Sequence, residues 1–74
     1  MFEKMKALIT EYVDVEAEKI TPDSRFIDDL GFSSYDFMSF LGALEDEFDV
    51  EIDERKAVEI RTVGEAADYL ASLQ

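Results

Sequence analysis

A serine at the predicted start of a helix is the residue of this chain that is best placed for chemistry. Ser34 follows the segment Asp28-Asp29-Leu30-Gly31 and comes directly before a run of helical periodicity. The first N–H groups of a helix have no partner within the helix, and the helix dipole is positive at that end, so a covalently attached phosphate is favoured there. The pattern makes Ser34 a candidate attachment point.

The neighbouring hydroxyl leaves an alternative open. Ser33 and Asp36 have the spacing of a short helix-capping motif. In this alternative, Ser33 caps the helix and Ser34 is an incidental residue of its first turn. Local chemistry alone favours this second interpretation.

The composition argues against several classes of protein. The chain has 74 residues, which is one small domain spanning 1–74, and it contains neither cysteine nor histidine. A thiolate nucleophile, the usual general base and the commonest metal ligand are therefore absent, so we expect neither catalysis by the chain itself nor a metal site.

The net charge of −12 repels nucleic acid and anionic membranes and attracts basic protein surfaces. No apolar run approaches the roughly 20 residues that a membrane span needs, so we expect a soluble, cytoplasmic protein. We also expect it to be a monomer.

Helical periodicity recurs along most of the chain and predicts an all-α fold. Apolar residues three and four apart predict a first helix over about 2–13 and a second from about Ser34 to Phe48. Asp53 is placed to cap a short third helix over about 54–59, and Thr62 and Glu65 have the spacing of a capping box before a last helix. We predict a four-helix bundle of three longer helices and one short helix.

The faces of these helices predict the core. In the second helix the stripe is centred near Phe37 and Phe48, with Ser34 at its edge; its members are Phe37, Phe40, Leu41, Leu44 and Phe48. The core face of the last helix is predicted to contain Val63, Ala66, Ala67, Leu70 and Leu73. Residues 14–33 are predicted to form a long loop, held on the core by Val15, Ile20, Phe26, Ile27 and Leu30.

One flank of the second helix is predicted to be a docking surface for partners. It lies beside Ser34 and mixes apolar side chains with carboxylates, which suits a basic, partly apolar partner groove. The predicted docking residues are Tyr35, Asp36, Met38, Ser39, Gly42, Glu45 and Asp46.

Three segments, in order and at the expected spacing, resemble the acyl carrier protein family over nearly the whole chain. They are Asp29-Leu30-Gly31-Phe32-Ser33-Ser34-Tyr35-Asp36, then Ala43-Leu44-Glu45-Asp46-Glu47-Phe48, and Thr62-Val63-Gly64-Glu65-Ala66-Ala67-Asp68-Tyr69-Leu70. The resemblance implies a four-helix carrier whose Ser34 receives a 4′-phosphopantetheine arm from a phosphopantetheinyl transferase. It also implies that acyl groups travel as thioesters on the arm, and that the partners are acyl-transferring and condensing enzymes with basic docking surfaces.

The chain departs from the pattern of the family around this serine. The family usually has aspartate before the modified serine and leucine after it, where this chain has Ser33 and Tyr35. Ser39 and Gly42 replace an acid and an apolar anchor that are usual in carriers of fatty acid synthesis, which predicts a different set of partners. The aromatic rings of Phe37 and Phe40 are expected to narrow the interior space for long acyl chains.

Two rival functions are weighed against the carrier. The first is an unmodified acidic docking module that uses the same flank, and modification of Ser34 separates the two. The second is a calcium-binding helix-loop-helix protein, which fails because the segment around Asp28 and Asp29 lacks the alternating oxygen ligands of a calcium loop. An enzyme is disfavoured because no base accompanies Ser34. Fatty acid, polyketide and other specialised pathways remain open.

Overall fold

The computed structural model describes residues 2–74, which form four α-helices joined by ordered loops. Helix α1 spans Phe2–Ile9, α2 spans Ser34–Phe48, α3 spans Glu54–Ala57 and α4 spans Val63–Leu73. Between α1 and α2 lies a 3₁₀ turn at Ala17–Lys19, which the sequence did not predict. In the described part of the chain the only β-type pairing is an isolated antiparallel bridge between Arg25 and Thr62. The prediction of an all-α bundle of three longer helices and one short helix is confirmed.

Helix α1 ends earlier than predicted. It stops at Ile9 and not near Val13, because the chain tightens into turns in which Glu11 N donates to Leu8 O (3.1 Å) and Tyr12 N donates to Ile9 O (3.0 Å). The tightening turns the ring of Tyr12 toward the core, where its centroid lies 5.8 Å from that of Phe40. A tertiary contact therefore overrides a helical pattern that continues in the sequence.

Helix α2 has the predicted bounds, with a cap at each end. Ser33 and Asp36 form a complete capping box at its start, and Asp49 takes a left-handed conformation (φ 54°) at its end. Its apolar stripe lies on the predicted face. Phe40, Leu41 and Leu44 are buried, whereas Phe37 and Phe48, the two residues at the predicted centre, are only partly buried against the same core.

The long loop is pinned to the core and to the start of α4. Ile20, Phe26 and Leu30 are buried as predicted, but Ile27 is 52% exposed and does not anchor the loop. Three backbone hydrogen bonds tie this loop to the last helix: Phe26 N donates to Arg61 O (3.0 Å), Val63 N to Ser24 O (3.0 Å) and Gly64 N to Pro22 O (2.8 Å). The pairing places 22–26 directly beside 61–64.

The last two helices are joined through one tyrosine. Helix α3 ends at Ala57 and not at Glu59, because Glu59 and Ile60 donate to carbonyls three residues back instead of four. The predicted cap by Asp53 and the capping box of Thr62 and Glu65 are both present. The hydroxyl of Tyr69 on α4 accepts a hydrogen bond from Asp53 N (3.0 Å), which connects α4 to the start of α3.

Aromatic rings fill the centre of the bundle. Five rings form one cluster, in which the centroids of neighbouring rings lie 5.2–6.0 Å apart. The rings come from the turn after α1, the long loop and α2, and they are Tyr12, Phe26, Phe32, Phe37 and Phe40. Phe32, 2% exposed, was not among the predicted anchors. Leu73 was predicted to be core and is instead 39% exposed, because it is the last residue of α4.

Candidate functional site

The two adjacent serines occupy different positions at the start of α2. Ser33 is the N-cap: its Oγ accepts a hydrogen bond from Asp36 N (3.1 Å), and Asp36 Oδ2 accepts one from Ser33 N (3.3 Å). Ser34 is the first residue of the helix and is exposed. Within residues 2–74, neither its Oγ nor the backbone N–H groups of Ser34 and Tyr35 have a hydrogen-bond partner. The Ser33 hydroxyl is therefore engaged in the helix cap, whereas the Ser34 hydroxyl is available.

A compact turn sets the position of these serines. Leu30 N donates to Arg25 O (2.9 Å), and Phe32 N donates to Phe26 O (2.9 Å), so the loop closes on itself just before α2. Gly31 has φ +81°, a conformation that costs glycine nothing and strains other residues. The turn buries the ring of Phe32 among the aromatic cluster and brings the next two residues out at the surface.

A groove of about 660 Å³ opens beside Ser34. Its walls come from the long loop, from α2 and from the segment between α3 and α4. The apolar lining consists of Phe26, Ile27, Phe37, Met38, Val58 and Ile60. Ile27, Met38 and Val58 are at least half exposed, so they form an apolar rim around the opening.

Charged side chains complete the lining of this groove. They are Arg25, Asp28, Arg61 and Glu65. Arg61 N and Thr62 N both donate to Glu65 Oε1 (2.9 and 3.0 Å), and these bonds hold the pKa of the Glu65 carboxyl below its ordinary value. The Glu65 carboxylate is therefore ionised and engaged in the helix cap.

The predicted docking residues lie along α2, and the structure divides them into two groups. The side chain of Tyr35 is 82% exposed and that of Met38 is 50% exposed; Gly42 and Asp46 are exposed as well. The remaining predicted residues also have internal partners. Asp36 belongs to the capping box, Glu45 Oε2 accepts from Ile52 N (2.8 Å), and Ser39 O accepts from the Tyr12 hydroxyl (3.2 Å). The residues of the first group are exposed to solvent, and at Gly42 it is the backbone that is exposed. The carboxylates of the second group also stabilise the fold.

The family model for the phosphopantetheine attachment site matches residues 3–70 of the chain. The chain belongs to this family. Its fold is also that of solved acyl carrier proteins. An acyl carrier protein from Enterococcus faecalis is 38% identical, with 99% of this chain and 92% of that chain covered and a TM-score of 0.86. A putative acyl carrier protein from Mycobacterium tuberculosis is 36% identical, with 96% and 95% covered and a TM-score of 0.86. The predicted family is confirmed, and with it 4′-phosphopantetheine as the group that such a domain attaches.

The start of α2 fits such a group. A phosphodiester attached there would lie beside the unpartnered N–H groups of Ser34 and Tyr35 and the positive end of a 15-residue helix. Over residues 2–74, no helix has the length and apolarity to cross a membrane, and no group of three metal-ligating side chains comes together.

The sequence did not predict the groove or its two arginines. Arg25 and Arg61 are far apart in the chain, and both line the groove only because 22–26 pairs with 61–64. The capping box at Thr62 was the one signal in the sequence. It fixes where Arg61 lies relative to α4, but it does not predict that 22–26 of the long loop lies beside it.

Proposed function

We propose that this chain carries acyl groups as thioesters on a 4′-phosphopantetheine arm attached to the Oγ of Ser34. The observation that carries the proposal is the different use of two adjacent hydroxyls. Ser33 Oγ is held in the capping box, whereas Ser34 Oγ is exposed, has no partner among the described residues and sits beside two open N–H groups.

The attachment reaction changes one bond at the serine. Ser34 Oγ forms a bond to the phosphorus of the 4′-phosphopantetheine portion of coenzyme A, the P–O bond to the nucleotide portion breaks, and the serine proton passes to a base of the transferase. The arm supplies a thiol, the nucleophilic sulfur that a chain without cysteine lacks. The chain itself orients the arm at the mouth of the groove and catalyses no step.

The acidic surface supports docking to basic enzymes. No lysine or arginine occurs between Phe26 and Glu54, the stretch that contains Ser34 and all of α2. Such a field steers basic partners toward the attachment site, and the exposed Tyr35 and Met38 supply apolar contact once they arrive. The transferase and the acyl-transferring and condensing enzymes of a cytoplasmic fatty acid, polyketide or related pathway are the proposed partners, and the chain acts as a monomer.

The test is loading followed by mapping of the modified residue. The protein is incubated with coenzyme A and a broad-specificity phosphopantetheinyl transferase, and the adduct is located by peptide mass spectrometry. Ser34→Ala should abolish loading and keep its helical content, because the side chain is exposed and makes no contact that stabilises the fold. Ser33→Ala is the matched control and should still be loaded.

Two results would contradict the proposal. An adduct on Ser33 would show that the site is wrong. The absence of any adduct with several transferases would favour the unmodified docking module, which uses the same exposed flank of α2 without a prosthetic group.

A further inference from the structure

The side chain of Tyr12 joins the turn after α1 to two other parts of the chain. Its ring centroid lies 6.0 Å from that of Phe32 in the long loop and 5.8 Å from that of Phe40 in α2. Its hydroxyl donates to Ser39 O on α2 (3.2 Å) and lies 3.4 Å from Ser39 Oγ. One side chain therefore connects the end of the loop to the helix that follows it.

The early end of α1 brings Tyr12 to this position. The apolar pattern of α1 continues to Val13, but the helix ends at Ile9, and Tyr12 lies in the turns that follow. In those turns its ring reaches the core and its hydroxyl reaches α2, 27 residues farther along the chain. Contacts with the junction between the loop and α2 thus override the local helical preference.

Phe32 extends the contact with Tyr12 toward the proposed attachment residue. Its ring is 2% exposed, and it comes two residues before Ser34. Three rings lie next to it; those of Phe26 and Phe40 are buried, whereas that of Tyr12 is only partly buried. Because the interior is closely packed, movement of Tyr12 gives the Phe32 ring room to shift, and the residues that follow Phe32 shift with it.

The capping box holds the start of α2 only locally. Ser33 and Asp36 bond to each other across the first turn of the helix, which fixes the shape of that turn. The position of the turn against the bundle depends on contacts with other elements, and Tyr12 provides two of them. A small displacement caused by a residue remote from the reacting atoms can slow a reaction.

We propose that Tyr12 is a positioning residue for the attachment reaction at Ser34. Its ring holds Phe32 and its hydroxyl holds α2, so that Ser34 Oγ keeps the orientation in which the transferase modifies it. The inference rests on the proposed function, since it concerns the rate at which Ser34 is loaded. It adds a residue outside α2 that does not line the groove beside Ser34.

The first test is the steady-state kinetics of loading from coenzyme A with a broad-specificity transferase. Tyr12→Phe keeps the packed ring and removes only the hydroxyl. We expect kcat to fall about threefold to tenfold, the ratio that one hydrogen bond of ordinary strength supplies, and KM for the carrier to stay unchanged. Tyr69→Phe is the matched control, because it removes a tyrosine hydroxyl bond (3.0 Å, to Asp53 N) that joins α4 to α3; it should change neither constant.

Amide hydrogen exchange locates the effect. Phe32 N donates to Phe26 O and Asp36 N donates to Ser33 Oγ, so these two amides report on the junction between the loop and α2. Their exchange should be about threefold to tenfold faster in Tyr12→Phe than in the parent. In the control variant Tyr69→Phe both rates should stay at the parent level.

The remaining outcomes separate the possible failures. An unchanged kcat in Tyr12→Phe, an equal fall in Tyr69→Phe, or exchange that accelerates equally throughout the bundle would overturn this inference and leave the carrier function standing. A rise in KM alone would show that the Tyr12 hydroxyl contacts the transferase, which also overturns it. A parent protein that is not loaded at Ser34 would instead refute the proposed function.

Discussion

Replacing Gly42 by alanine should stabilise the protein. Gly42 lies in the middle of α2, and a Cβ built there meets no atom within 4 Å, so the added methyl group causes no clash. A glycine inside a helix costs about 0.8–1 kcal/mol relative to alanine, chiefly through backbone entropy. For a domain of this size, about 1 kcal/mol corresponds to a rise of about 4–8 °C in Tm.

Thermal and urea unfolding followed by circular dichroism at 222 nm would measure this change, and the other two glycines provide controls. A Cβ on Gly64 would lie 2.9 Å from the carbonyl oxygen of Pro22, and Gly31 has φ +81°, so alanine at either position should lower Tm. A Gly42→Ala protein no more stable than the parent, or a Gly64→Ala protein that gains stability, would refute the reasoning from these contacts.

Four further outcomes are expected. Ser33→Ala should lower the free energy of unfolding by about 1 kcal/mol through loss of the cap, measured by urea titration. Folding lowers the pKa of Glu65, so the ionised carboxylate stabilises the fold above its ordinary pKa of 4.5, and this stabilisation is lost as pH falls through the lower, folded-state pKa. The Glu65→Gln variant should therefore lose less stability between pH 5 and pH 3 than the parent, as measured by thermal melts. A higher salt concentration should raise Tm, because it screens the repulsion within a chain of net charge −12. It should also slow association with partner enzymes in stopped-flow measurements, and a Tm or an association rate that does not change with salt would contradict this. The loaded protein should be a poor substrate for a fatty acid condensing enzyme, and Ser39→Glu with Gly42→Met should improve turnover by several-fold; efficient turnover of the parent without such a gain would show that this flank does not discriminate.

The features that the sequence predicted correctly are local ones. The bounds of α2 follow from a capping motif and an apolar repeat that lie within a few residues of each other, and the same holds for the start of α4 at Thr62. The roles of Ser33 and Ser34 differ because a cap needs one specific residue position. Local rules therefore predicted correctly that Ser33 and Ser34 lie at the start of α2.

The features that it did not predict depend on contacts between distant parts of the chain. Helix α1 ends early because the Tyr12 ring packs on Phe32 and Phe40, and none of these contacts is visible in the periodicity of α1. The groove arises where the long loop meets the segment before α4, so the sequence could not predict that Arg25 and Arg61 both line it. Ile27 stays exposed because its neighbour Phe26 already occupies the core position.

The short helix α3 makes one wall of the groove easier to open than the others. A single turn of four residues is not stable by itself; it is held by the Asp53 cap, by the hydrogen bond from Asp53 N to Tyr69 and by the burial of Ala57. Val58 and Ile60, which follow it directly, line the groove. Amide hydrogens of 54–60 should therefore exchange with solvent at a lower opening free energy than those of α2. The width of the groove should then vary as this single turn opens and closes, while the aromatic centre of the bundle stays packed.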